Sequence, residues 1–142
     1  MPELPPILAA DSITRVGPKA AGAVVVNGSH GGIYAAYVAA KLRVGAAIFN
    51  DAGVGRDRAG IAGLDYLAAL GVPAAAVGHD TARIGDGSDM MARGVITHAN
   101  RAAVALGCRR GMTCRDAGAA LQTAASRGRE PESGRQLRPL SQ

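Results

Sequence analysis

The chain has 142 residues, 48% of them hydrophobic, which suits one domain with a packed core and excludes a disordered polymer. Only 3% are aromatic, so the core must be built from Ala, Val, Leu and Ile in closely approaching elements. The net charge of +5 is diffuse and partly confined to the tail, and base-stacking rings are scarce, so nucleic acid is not the expected partner.

Met1 to Pro6 reads as an arm, without the basic start and apolar stretch of a signal peptide. No run approaches the roughly 20 apolar residues of a membrane span, so the expected location is the cytoplasm. A short strand is predicted within Ile7–Val16, over Ser12–Val16, before the turn Gly17-Pro18. Gly22–Asn27 is the clearest strand, a continuous apolar run of the kind buried on both faces. Ile33–Val44 reads as a helix with Ile33, Ala36, Tyr37, Ala40 and Val44 on its apolar stripe.

Ala46–Asn50 is a second buried strand, Ile61–Leu70 a helix closed by Gly71, and Val72–Val77 a third apolar run. Beyond Asp80 come a loop to Gly87, a short helix from a Ser88 cap to Arg93, and a strand over Gly94–Thr97. A helix over His98–Leu106 follows, with His98 and Asn100 at its opening as capping residues. A last helix starts at the capping box Thr113-Cys114-Arg115-Asp116 and runs to about Ala125. The expected organisation is a single α/β domain over 1–125 and a disordered basic tail over 126–142, where Arg127, Arg129, Arg135 and Arg138 outnumber Glu130 and Glu132. Cys108 and Cys114 match no disulfide or CxxC pattern and read as ordinary thiols.

Repeated strand–loop–helix units predict an α/β fold: a three-layer α/β/α sandwich on a mostly parallel sheet, flavodoxin- or Rossmann-like. Three polar clusters then share the carboxyl edge of the sheet, where ligands gather in such folds. The first is Asn27-Gly28-Ser29-His30-Gly31-Gly32, whose glycines allow close backbone approach or positive φ. Its amides could hold an anion or oxyanion, with Asn27, Ser29, Gly31 and Gly32 as the pocket; equally, it is a tight turn in which Ser29 caps a helix. It matches neither GxxxxGK[ST] nor GxGxxG. It resembles the His-Gly-Gly oxyanion loop of lipases and esterases, but the chain has no GxSxG elbow. It also resembles the Asn-Gly-His-Gly-Gly loop of creatininase-type amidohydrolases, with Ser29 intervening and without their metal-ligand pattern. No family is assigned.

Asn50-Asp51 offers a carboxylate for a general base, a metal ligand or an orienter of histidine, or else a turn residue. His79-Asp80 offers an imidazole that titrates near neutral pH. With His30 or Ser29 and Asp51, His79 would make a metal set or a nucleophile–base–orienter group. Arg56 or Arg58 would clamp an anion, or belong to a solvated charge cluster. The expected catalytic residues are therefore His30, Asp51 and His79, and the expected ligand contacts Asn27, Ser29, Gly31, Gly32, Asn50 and Arg56. The expected function is hydrolase- or lyase-type proton transfer on a small anionic metabolite. The alternative is a non-catalytic small-molecule-binding or regulatory domain acting as a homo-oligomer or with a partner subunit. Spacing identifies no cofactor or metal.

Overall fold

A computed structural model describes residues 4–128. Five strands, β1 (Ile7–Ala10), β2 (Val24–His30), β3 (Ala46–Asn50), β4 (Ala74–Val77) and β5 (Ile96–Ala99), form one sheet in the order β1-β2-β3-β4-β5. The first four are parallel and β5 is antiparallel to β4. The protein is thus α/β with a mixed, mostly parallel sheet. The helices are α1 (Ile33–Lys41), α2 (Ala62–Ala69), α3 (Gly87–Arg93), α4 (Arg101–Ala105) and α5 (Cys114–Gly128).

The apolar runs are continuous because both faces of the sheet are covered. Val25, Ala47, Phe49 and Ala76 belong to one apolar cluster with Ala36 and Ala39 of α1 and Leu64 and Leu67 of α2. The alternate residues Val24, Val26, Ile48, Ala75 and Val77 belong to another with Met90 of α3 and Ala117 and Leu121 of α5. Successive side chains of one strand point to opposite faces, so a period-2 split between two clusters needs an apolar run without polar gaps. Cys108 and Cys114 are buried in the second cluster, and burial pushes their thiols up to about 11 and about 12.

Several elements depart from the sequence reading. The first strand is Ile7–Ala10, not Ser12–Val16. There the Ser12 hydroxyl accepts the Thr14 N–H and turns Ile13–Arg15 into a 3-10 turn. The α1 stripe is rotated. Ala35, Ala36 and Ala39 face the core, while Ile33 and Tyr37, placed inward by the sequence pattern, are 51% and 47% exposed. Close approach between helices is the cause: Gly63 of α2 donates its N–H to the Gly31 carbonyl, and a Cβ at Gly63 would lie 2.8 Å from Ala36 Cβ. Only the small-residue face of α1 fits that gap.

Asp86, not Ser88, caps α3, accepting the Asp89 N–H. His98 belongs to β5 and not to a helix, whereas Asn100 does cap α4. Thr113 accepts the Asp116 N–H at 3.1 Å, the first half of a capping box. Helix α5 reaches Gly128, so Ser126–Gly128 of the expected tail are helical. The remainder of that tail, 129–142, and the first residues of the N-terminal arm, 1–3, lie outside the described residues.

Two further contacts tie down the margins of the sheet. Gln122 of α5 donates to the Pro5 carbonyl at 2.6 Å. The segment 111–113 pairs with the outer side of β5: Ile96 N–H donates to Met112 and Gly111 N–H to Ile96, with a further bridge between Val95 and Thr113.

Candidate functional site

Parallel pairing brings the ends of β2, β3 and β4 to one edge, so Asn27–Gly32, Asn50-Asp51 and Gly78-His79 share it. Each cluster begins as chain-turning hardware. Asn27 is fully buried; its Oδ1 accepts the Ser29 N–H and its Nδ2 donates to the Ile48 carbonyl. Asn50 repeats the device one strand over: Oδ1 accepts the Ala52 N–H and Nδ2 donates to the Ala82 carbonyl. A side-chain amide buried at a strand end satisfies backbone groups that the ladder has released. The part both amides play is to place the residues that follow them.

Strand β2 continues through Ser29 to His30, so the first cluster is less a loop than a strand end. Ser29 Oγ accepts the Ile13 N–H at 3.1 Å rather than capping a helix. Gly31 and Gly32 do not use positive φ. They are needed for close approach: a Cβ on Gly31 would lie 2.8 Å from the Gly60 carbonyl, and one on Gly32 2.8 Å from the His30 ring. Ser29 and His30 line an open cavity of about 350 Å³ with Asp11, Ser12, Tyr34 and Ile84, and its lining does not include Asp51 or His79.

Asp51 is the centre of a separate arrangement. It is 4% exposed. Its Oδ1 accepts the N–H of Gly53 at 2.8 Å and of His79 at 3.0 Å, and lies 3.4 Å from His79 Nδ1. Its Oδ2 accepts the Thr97 hydroxyl at 2.9 Å, and Thr97 Oγ1 in turn lies 2.9 Å from His98 Nδ1. Burial by itself would raise the Asp51 pKa. The Gly53 N–H, the Thr97 hydroxyl, the His79 N–H and the nearby imidazole outweigh it and hold the carboxyl below its usual value. Asp51 is thus a buried anion at neutral pH, facing a His79 whose side chain is 59% exposed.

The antiparallel return of β5 supplies the second arm. Its pairing with β4 shifts register between Ala76 and Val77, which face His98 and Ile96. Thr97 is the extra residue of that bulge, and a bulge re-aims a side chain. With the Thr97 hydroxyl hydrogen committed to Asp51, the His98 Nδ1–H donates to Thr97. One buried carboxylate therefore lies beside the His79 imidazole and reaches His98 through a hydroxyl.

A cleft of about 260 Å³ opens beside this arm, lined by Arg58, Ile61, Leu64, Asp65, Thr97, His98, Ala99 and Asn100. Of the two arginines considered from sequence, Arg58 lines it and Arg56, the expected ligand contact, does not. Arg58 belongs to a loop of left-handed backbone, with Ala52, Gly53, Val54, Gly55, Asp57 and Arg58 all at φ between 51° and 76°. That geometry is costly for a β-branched residue such as Val54. The loop folds back over Asp51: Val54 N–H donates to the Asp51 carbonyl, a Cβ at Gly60 would collide with that carbonyl, and Gly53 packs against the His79 ring.

Sequence reasoning thus named Asp51 and His79, which lie 3.4 Å apart, and placed Ser29 and His30 with them; those two line a cavity whose lining includes neither Asp51 nor His79. It missed Thr97 and took His98 for a capping residue. The signal that could have found them is the short β-favouring stretch Val95-Ile96-Thr97, one residue before His98. Among the described residues, no group of three or more His, Cys, Asp and Glu is arranged to hold a metal ion. No helix among them is long and apolar enough to cross a membrane. No protein-family model, curated protein or solved structure matches the chain.

Proposed function

We propose that the chain is an enzyme of hydrolase or lyase type that moves protons on a small anionic metabolite at the carboxyl edge of the sheet. His79 carries the proton and Asp51 orients it. The observation that supports this most is the buried, ionised Asp51 beside an exposed imidazole. Asp51 favours the His79 tautomer with hydrogen on Nδ1, which leaves Nε2 as the base toward solvent. The 3.4 Å separation is long, as such contacts often are before substrate binds. The proposal includes a three-layer arrangement, supported by apolar clusters that take alternate residues of the same strands. The strand order is sequential and so lacks the reversal of flavodoxin and Rossmann sheets; what the proposal keeps of that expectation is a mostly parallel α/β sheet.

The test combines turnover and tautomer. Across a panel of small carboxylic and phosphoric esters and hydroxy acids, His79→Gln is expected to reduce kcat/KM by about 10²–10⁴-fold for any substrate turned over. Nitrogen-15 NMR of the neutral His79 ring is expected to show mainly Nδ1–H in the wild type and a mixture in Asp51→Asn. Undiminished turnover in His79→Gln, or a tautomer ratio indifferent to Asp51, would overturn the reading.

A second reading, a ligand-binding domain working as a homo-oligomer, is favoured by the outward face of α1. Ile33, Tyr34 and Tyr37 are 51%, 68% and 47% exposed, and Tyr34 shares the Ser29–His30 cavity with Ile84, itself 49% exposed. On this reading, sedimentation velocity shows a dimer or larger species that Tyr34→Ser/Tyr37→Ser converts to monomer. A monomeric wild type rejects it.

A further inference from the structure

The cleft beside His98 carries charges of both signs. Arg58 stands on its loop side and Asp65 on α2, and neither side chain has a hydrogen-bond or ion-pair partner among the described residues. Ile61 and Leu64, four and one residues before Asp65, are core residues only 2% and 4% exposed that close the cleft from beneath. Thr97 and His98 form the wall that leads back to Asp51. Asn100, although it lines the cleft, has its side chain committed to the backbone of four other residues. The volume of about 260 Å³ lies just below the ~300–1,000 Å³ of sites for drug-sized ligands, so the occupant is smaller than those.

An inorganic anion would satisfy Arg58 but face the carboxylate of Asp65. An amine would satisfy Asp65 but face the guanidinium of Arg58. A ligand that carries both charges offers each of these side chains a partner of opposite sign. We propose that this cleft binds a zwitterionic α-amino acid. Its carboxylate lies on the Arg58 guanidinium, which can grip it with two parallel N–H bonds, and its ammonium lies on Asp65. A small apolar side chain rests on Ile61 and Leu64. His98 stands at the wall with Nδ1 tied to Thr97, so its Nε2 is the ring nitrogen available to the ligand.

This goes beyond the proposed function: neither Asp51 nor His79 lines the cleft, which meets their site only through Thr97 and His98, so the two fail separately. His79 does not line the cleft, so His79→Gln removes turnover and leaves amino-acid binding intact.

The experiment titrates the full chain with L-alanine, acetate, methylammonium and inorganic phosphate, following the NMR signals of Thr97, His98 and the Arg58 side chain. L-alanine is expected to shift all three with a millimolar Kd, and acetate and methylammonium to bind at least about tenfold more weakly. Arg58→Gln is expected to weaken alanine by at least about tenfold. Asp65→Asn is expected to weaken alanine while tightening acetate, a change of opposite sign that loss of folding cannot mimic. Both substitutions are at exposed positions, and far-ultraviolet circular dichroism confirms that the variants fold. The proposal is overturned if alanine shifts none of these signals, if acetate or phosphate binds as tightly as alanine, or if Asp65→Asn affects alanine and acetate alike.

Discussion

Asn100→Ala is expected to cost about 4 kcal/mol, measured as the loss of unfolding free energy in urea. Asn100 is 6% exposed, and its amide holds four backbone groups of different elements. Nδ2 donates to the carbonyls of Leu64 in α2 and Val72 in the α2–β4 connection; Oδ1 accepts the N–H of Ala74 in β4 and of Ala103 in α4. Truncation leaves two donors and two acceptors without partners, each worth about 1–3 kcal/mol where water cannot reach. A domain of this kind has only about 5–15 kcal/mol in total, so the variant stands near the margin of folding. A loss under about 1 kcal/mol would show that water replaces the amide and that the junction is not held by it.

Asp51→Ala is expected to be almost as damaging, at about 3 kcal/mol, because the N–H groups of Gly53 and His79 and the hydroxyl of Thr97 lose their shared acceptor. The informative variant is Asp51→Asn, which keeps an oxygen for Gly53 and His79 and removes the charge. The folded-state pKa of Asp51 is lowered, so its ionised form adds stability above about pH 4 that disappears as the pH falls through the lowered value. Thermal denaturation from pH 7 to pH 2 is therefore expected to show a shallower acid decline in Asp51→Asn than in the wild type. Part of the decline remains in both, because Arg93 and the Arg83 N–H hold Asp89 down to about 2. Superimposable acid limbs would mean that Asp51 is not stabilised as an anion in the folded protein.

What the sequence disclosed follows from which interactions are local. The strands at Val24–Val26 and Ala46–Phe49 were legible because burial on both faces demands uninterrupted apolar residues. The shared carboxyl edge followed from connection lengths alone. The Asp51–His79 contact was legible as a consequence of that edge. The orientation of α1 was not, because alanine is apolar enough for a core yet carries little signal, and the deciding contact is with Gly63 of another helix. Thr97 and His98 were not legible either. Their place depends on β5 pairing backwards with a one-residue bulge, and four residues carry too little periodicity to show it. Nor was the left-handed backbone at 52–55 and 57–58, since Ala52 and Val54 are residues that ordinarily avoid it.

The sheet ends differently on its two sides. Segment 111–113 already occupies the outer hydrogen-bonding groups of Ile96 at the start of β5, and β1 presents only four residues after the pair Pro5-Pro6, with the Pro5 carbonyl held by Gln122. Proline has no N–H to offer an incoming strand, and a very short edge gives a foreign chain little to template on. Polymerisation by edge-to-edge growth is thereby discouraged at both margins. A largely parallel sheet, slow to assemble and exposed while it does so, has particular need of that protection.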